Sequence, residues 1–273
     1  MIDKPHISAT QVGMLCRCGE QYRRRYIEHE TIPPGIRLLV GSGFHAGAEV
    51  NMRQKIESHT DMRPVDIADA AVAGLEERIA VDGYELTSEE ASRGQAAVIG
   101  DAKAEVAALA EMHAREQAPE YQPVIVEETC RIVLPRASRD LLGVIDLADD
   151  KDRIIDWKTA GRKKPQSEVD QSLALTIYAA AFQAKTQRRP SEVRLDILTT
   201  TKKPTRQVLS GGRDQNDIRV LAARLDVVIR TIEAGIFLPA NVGDWVCSPK
   251  WCGYWGTCPY VNSERRDAAE KAE

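Results

Sequence analysis

The chain has 273 residues, 43% of them hydrophobic, and a formal net charge of −4. That length suits one large domain or two small ones; no apolar run approaches the ~18 residues of a membrane span, and the opening MIDKPHISAT lacks the basic-then-apolar pattern of a signal peptide, so the expected location is the cytoplasm. A net negative field does not recruit a polyanion, which leaves any nucleic-acid binding to local basic runs: YRRRY (22–26), GRKKP (161–165), QRRP (187–190) and TKKPTR (201–206).

Ser8 is placed to cap a helix that starts near residue 9 and runs through YRRRY. Pro-Pro-Gly at 33–35 makes a turn, and a helix is expected from Ser42, with His45 and Glu49 on one face because they are four apart. Residues 65–81 are amphipathic at helical period, and TSEE (87–90) has capping-box spacing ahead of a long helix to about Arg115. The texture then changes. Residues 121–135, 139–148 and 152–159 read as strands, the last two joined by an acidic turn at Asp149–Asp152. A helix at 167–187, a hairpin of 192–200 with 205–210 over TKKP, and a helix at 214–237 with Gly235 near its end complete the order. A Trp/Cys/Gly-rich tail follows, and 263–273 read as a flexible end. No low-complexity linker divides the chain. The expected organisation is one α/β domain over 1–262: a helical region over 1–118, an α/β core over 119–210, and a C-terminal helix with its cysteine tail over 211–262.

The hairpin holds the chemistry. With Asp149 opposite Arg153, Asp146 falls opposite Asp156, and Lys158, two places on, shares their face. Two carboxylates that close repel unless a cation sits between them. Mg²⁺ or Mn²⁺ prefers oxygen ligands, and such an ion both activates water and stabilises charge on phosphate oxygens. The ammonium of Lys158 adds a positive charge where a phosphorane would form. The apolar flanks, LLGVI and RII, put these charges in a buried sheet, where unpaired charge is costly.

GVID, IIDWKT and a helix with QSLALTIY together resemble motifs II, III and IV of the PD-(D/E)XK nuclease superfamily, in its RecB-like branch. VGSGFHAGAE resembles that branch's motif I, and ISATQVGMLCRCGEQYRRRY its usual start, with Gly19 in place of a proline. The tail CSPKWCGYWGTCPY resembles the cysteine cluster of the iron–sulfur members, the CRISPR-associated and phage-type exonucleases among them. The resemblance implies a restriction-endonuclease-like mixed sheet flanked by helices. It implies a metal held by His45, Asp146, Asp156 and the backbone carbonyl of Trp157, with Lys158 as catalytic lysine and Gln171 and Tyr178 as the Q…Y motif on one helical face. Glu49 reads as a further ligand or as a brace for the histidine ring. Arg162, Lys163, Lys164, Lys202 and Lys203 are candidates for backbone phosphates.

The resemblance also implies that Cys247, Cys252 and Cys258 share a metal with an N-terminal cysteine, Cys18 by alignment and Cys16 as the fallback. Four thiolates hold [4Fe–4S] or zinc; the one-plus-three split favours the cluster, and the C-x4-C spacing departs from the shorter one common in the family. Trp245, Trp251, Tyr254 and Trp255 either shield that centre or offer stacking surfaces. Cys130, alternating within an apolar strand, reads as core. The function expected is a Mg²⁺- or Mn²⁺-dependent DNA exonuclease of phage recombination, repair or CRISPR spacer processing. The rival is a non-catalytic DNA-binding or assembly subunit of the same fold, which would need none of the four residues His45, Asp146, Asp156 and Lys158.

Overall fold

The computed structural model describes residues 4–201, 204–262 and 264–265, so Lys202 and Lys203 and most of the expected flexible end lie outside the described residues. The chain groups into two compact units: Met1–Ile32 with Ile132–Leu142 and Arg219–Glu273, and Pro33–Arg131 with Gly143–Ile218.

The first unit opens with β1 (His6–Ser8) and α1 (Ala9–Arg17). Ser8 caps α1 as expected: its Oγ accepts from Gln11 N–H at 3.3 Å, and its own N–H donates to Gln11 Oε1 at 2.7 Å. The helix does not continue through YRRRY. It breaks at Cys18, which is extended (φ −157°, ψ 107°), and resumes as α2 (Gly19–Tyr22) and a π-helical turn, Arg23–Ile27. Close approach explains the break. Gly19 N–H donates to Leu238 O at 2.7 Å, and a Cβ on Gly19 would lie 2.6 Å from the Leu238 nitrogen. A proline there would lose that donor as well.

In the second unit α3 (Ile36–Ser58) starts six residues before Ser42, directly behind Gly35, because the Pro-Pro-Gly turn leaves the backbone ready to enter a helix. It packs against α4 (Pro64–Asp82) through glycines. A Cβ on Gly47 would lie 2.7 Å from Ala71 Cβ, and one on Gly74 2.4 Å from Ala46 Cβ, so larger residues would push the helices apart. The TSEE box caps only α5 (Ser88–Arg93); Gly94, at φ +85°, stops it, and α6 (Gln95–Met112) begins afresh and ends in a π-helical turn, His113–Gln117.

Then come β2 (Pro123–Ile132), β3 (Asp140–Asp149) and β4 (Arg153–Ala160), α7 (Ser167–Asp170) and α8 (Leu173–Thr186), β5 (Glu192–Thr199) and β6 (Arg206–Gly211). β2 pairs with β3; β3 and β4 are antiparallel, β4 and β5 parallel, β5 and β6 antiparallel. This is the mixed, helix-flanked sheet that the resemblance implies. Ile155 and Trp157 of β4 join Leu39, Phe44, Met52, Leu75 and Leu109 in a helix-covered core. Each such side chain, fully buried, contributes about 1.5–3 kcal/mol. Period two then turns Asp156 and Lys158 to the opposite face.

Asp196 anchors the core side of β4. It pairs with Trp157 in the β4–β5 register, is fully buried, and accepts from Gln117 Nε2 (2.8 Å), Tyr121 OH (2.7 Å) and Arg206 Nε (2.9 Å). The expected helix at 167–187 is interrupted. Gln171 closes α7, and Ser172 caps α8, its Oγ accepting from Leu175 N–H at 3.2 Å. The serine competes for backbone donors and restarts the helix, so Gln171 and Tyr178 do not share one helical face.

Back in the first unit, β1 runs parallel to Asp140–Leu142. α9 (Gln215–Glu233) is shorter than expected and stops before Gly235, which has φ +66°. Among the described residues no helix is long and apolar enough to cross a membrane.

Candidate metal centre

The register Leu147↔Ile155 carries Asp146 opposite Asp156, the pairing the sequence implies. α3 brings His45 to this spot and β2 brings Glu127. One ligand atom each from His45, Glu127 and Asp146 lie within 4.8 Å of one another. His45 Nδ1 is 3.6 Å from both Glu127 Oε1 and Asp146 Oδ2, too far for hydrogen bonds. Asp146 Oδ2 accepts from Trp157 N–H at 3.2 Å, and Asp156 Oδ1 from Lys158 Nζ at 2.8 Å. Among the described residues, Asp156 Oδ2 and Glu127 Oε1 are buried and accept no hydrogen bond. A buried acceptor without a partner costs roughly 1–3 kcal/mol. Orphaned carboxylate oxygens beside an imidazole are the donor set of a hard divalent cation, so the residues present fit Mg²⁺ or Mn²⁺. Asp156 stands outside the three-residue group, with its other oxygen turned to Lys158.

Glu127 was not singled out in the sequence. The available signal was the acidic pair of VIVEETC interrupting an apolar strand. What places it is backbone geometry. Glu127 has φ +43°, and Ile125 and Val126 are both buried, so the alternation of β2 breaks there as it does at a bulge. Arg53 Nη2 donates to the Glu127 carbonyl at 3.3 Å, and Arg53 Nε donates to Glu49 Oε1 at 2.6 Å. Glu49 thus braces Arg53 and the β2 bulge, where the sequence suggested a brace for the histidine ring.

The electrostatics record concentrated negative charge. Burial first, then the Asp156 carboxylate, holds the Asp146 carboxyl well above the usual range, against His45 and Lys158. Burial pulls the His45 imidazolium down, but Glu127 and Asp146 outweigh it and the net shift is upward. Lys158, half exposed, behaves alike: burial lowers its pKa, and Asp156 with Asp146 raise it above the ordinary value. The Tyr178 phenol is pushed up by burial, then by Asp156 and Asp146.

Tyr178 lies over β3 at Gly143, where a Cβ would meet its ring at 3.4 Å. Gln171 lines a cleft with Asp156 and Lys158. Lys164 lines the same cleft, while Arg162 and Lys163 are exposed beside it in sequence. The Trp157 indole sits in the core, its ring 5.0 Å from that of His113.

In the first unit Cys18, Cys247, Cys252 and Cys258 line one small pocket, and Cys16 is exposed and apart from it. Ala240 N–H donates to Cys18 Sγ at 3.4 Å. Burial, then the neighbouring Cys258 and Cys18, push the Cys247 thiol up; burial also raises the Cys252 thiol, against a backbone hydrogen bond from Tyr254 and with the neighbouring thiols. Among the described residues no three of these sulfurs lie within 4.8 Å of one another, wider than the ~4 Å between sulfurs on one tetrahedral zinc. Of the tail aromatics Trp245, Trp251, Tyr254 and Trp255, only Trp255, buried, lines the pocket; Tyr254 is buried beside it in sequence, and Trp245 and Trp251 are exposed with their rings 5.5 Å apart. Cys130 is buried in β2, as expected.

The family model described as the PD-(D/E)XK nuclease superfamily matches residues 6–259. The crystal structure of a candidate exonuclease from Eubacterium rectale is similar at 11% identity and a TM-score of 0.56, over 90% of this chain and 88% of that one. A second solved structure, SSO0001, is 14% identical with a TM-score of 0.36, over 89% of this chain and 96% of that one. None of the curated proteins matches the sequence.

Proposed function

The chain belongs to the PD-(D/E)XK nuclease superfamily, and from that premise we propose that it is a Mg²⁺- or Mn²⁺-dependent DNA exonuclease acting on single strands or duplex ends. One observation carries the reading: His45, Glu127 and Asp146 converge within 4.8 Å beside a buried Asp156 oxygen that has no partner. A divalent ion bound there acidifies water and neutralises charge on the phosphate oxygens. His45, Glu127, Asp146 and Asp156 would hold it, together with the Trp157 carbonyl. Lys158, tethered to Asp156 at 2.8 Å, offers its remaining N–H donors to the phosphate as charge develops on it. Gln171 and Tyr178 border the same face and orient the strand.

The four-cysteine pocket of the other unit holds a structural [4Fe–4S] cluster in this reading, with zinc the alternative. Soft thiolate donors lining one pocket support either metal. Such a centre ties Cys18 to the tail and adds folding energy by linkage. The cellular setting is phage-type recombination, repair or CRISPR spacer processing.

The test is digestion of end-labelled single- and double-stranded DNA with Mn²⁺, Mg²⁺ or chelator, by the wild type and Lys158→Ala. Ion-dependent hydrolysis that the variant loses is expected. Binding without hydrolysis under any ion would instead favour the assembly-subunit reading. Iron and zinc counts with an absorption spectrum of anaerobically purified protein decide the second metal.

A further inference from the structure

Two clefts meet at the β4 residues Lys158 and Thr159. The first, about 690 Å³, runs between α3 and α4 and reaches His45 and Glu127; the second, about 540 Å³, begins at Asp156 and continues past Lys164, Gln171 and Ser172. A phosphate beside Lys158 would sit where they join, so each cleft receives one side of the strand. They differ in chemistry. Beyond the metal group and Lys158, where the clefts join, the charged lining of the first cleft is Glu49, Glu77 and Arg78. Arg78 already faces Asp82 at 3.6 Å. The rim carries Leu38 and Val81, 67% and 70% exposed, apolar surface that suits a base and not a phosphate. The second cleft presents the Lys164 ammonium paired at 3.5 Å with Glu168 of the same lining, with Ser167, Gln171 and Ser172 around them. Its loop is pinned: Lys164 N–H donates to Gln207 Oε1 and Gln207 Nε2 to Lys164 O, both at 2.8 Å.

We infer that the α3–α4 cleft takes the terminal nucleoside of a DNA strand and selects an end without phosphate, while the phosphates of the continuing strand run through the Lys164 cleft. This rests on the nuclease reading above and adds the identity of the favoured end. A strand whose end is a hydroxyl places only sugar and base against Glu49 and Glu77. A terminal phosphate would add a charge of nearly −2 beside the Glu77 carboxylate, while Glu49 is already paired with Arg53 at 2.6 Å. One unfavourable charge contact at ~4 Å in water-like surroundings is worth about 1 kcal/mol, which corresponds to roughly a fivefold change in rate.

The experiment follows single-stranded oligonucleotides carrying hydroxyl or phosphate at each end, and a circular strand, with Mn²⁺ and the full-length protein. At the degraded end the wild type is expected to prefer hydroxyl over phosphate roughly five- to tenfold and to leave the circle intact. Glu77→Lys, at an exposed position, should shrink or invert that ratio. Lys164→Glu should raise KM for both ends and leave the ratio alone. Faster digestion of the phosphorylated end by the wild type, a ratio untouched by Glu77→Lys, or cleavage of the circle at the linear rate would overturn the inference while the nuclease reading stands. Absence of any Mn²⁺-dependent hydrolysis would overturn both.

Discussion

Asp146→Asn should make the metal-free protein more stable and the metal-loaded protein less so. Asp146 and Asp156 are 7% and 1% exposed and stand opposite each other in the β3–β4 register. Opposed residues have Cβ atoms ~5 Å apart, and two like charges at ~5 Å with an effective dielectric of ~20 repel by about 3 kcal/mol. Lys158 offsets some of this, so removing one charge should recover about 1–3 kcal/mol. Asparagine keeps an oxygen to accept the Trp157 N–H. The sign follows the raised carboxyl pKa of Asp146. A carboxyl that ionises less readily folded than unfolded weakens the fold as pH rises above the ordinary carboxylate range, so the variant's advantage should be small in acid and grow as pH rises.

The assay is thermal unfolding in chelator and in Mn²⁺. In chelator the variant should melt roughly 3–10 °C higher. In Mn²⁺ at about a hundred times its dissociation constant the wild type should gain about 2.7 kcal/mol and the variant far less, reversing the order. DNA hydrolysis should fall at least a hundredfold or so. A variant that melts lower in chelator, or that keeps the full Mn²⁺ shift, would refute the argument that these carboxylates are held together for a cation.

Lys158→Ala should lower kcat by about 10²–10⁴-fold and, in chelator, lower the melting temperature, because it removes the ammonium 2.8 Å from the buried Asp156 carboxylate; steady-state kinetics with circular dichroism checks both. His113 is wholly buried with its pKa lowered to about 4, because burial outweighs Gln117, Asp196 and Asp61, which favour the charged form, with Lys55 opposing it. Its neutral form stabilises the fold fully above pH ~6.5, and about 3 kcal/mol of that is lost as pH falls from ~6.5 to ~4; denaturant titrations across that range should show the loss, and His113→Gln should flatten it. Gly19→Ala should cost about 1–3 kcal/mol by overpacking against Leu238, read from denaturant midpoints. Cys18→Ser should strip bound iron or zinc whereas Cys16→Ser, at an exposed site outside the pocket, should not; metal counting distinguishes them.

Much of the centre was legible in the sequence because hairpin geometry is local. A short acidic turn and period two were enough to bring Asp146 opposite Asp156 with Lys158 on their face, and the observed register agrees. Gly19 was visible only as a departure from a family proline; its reason, contact with Leu238, comes from more than two hundred residues away. Helix continuity was the least legible feature. The breaks at Cys18, Gly94 and Ser172 each replaced an expected long helix with two, because a close approach, a left-handed glycine or a capping hydroxyl overrode periodicity.

The sequence by itself determined the order of the strands after residue 120, the α/β class and the opposed carboxylates, since these depend on spacing and on side-chain chemistry along short stretches. Only the tertiary structure decided that Glu127 joins His45 and Asp146, that Gln171 and Tyr178 stand on separate helices, and which cysteine meets the tail. Those depend on where distant segments are brought together, and a side chain's partner across a fold is set by the packing of elements rather than by its neighbours in the chain.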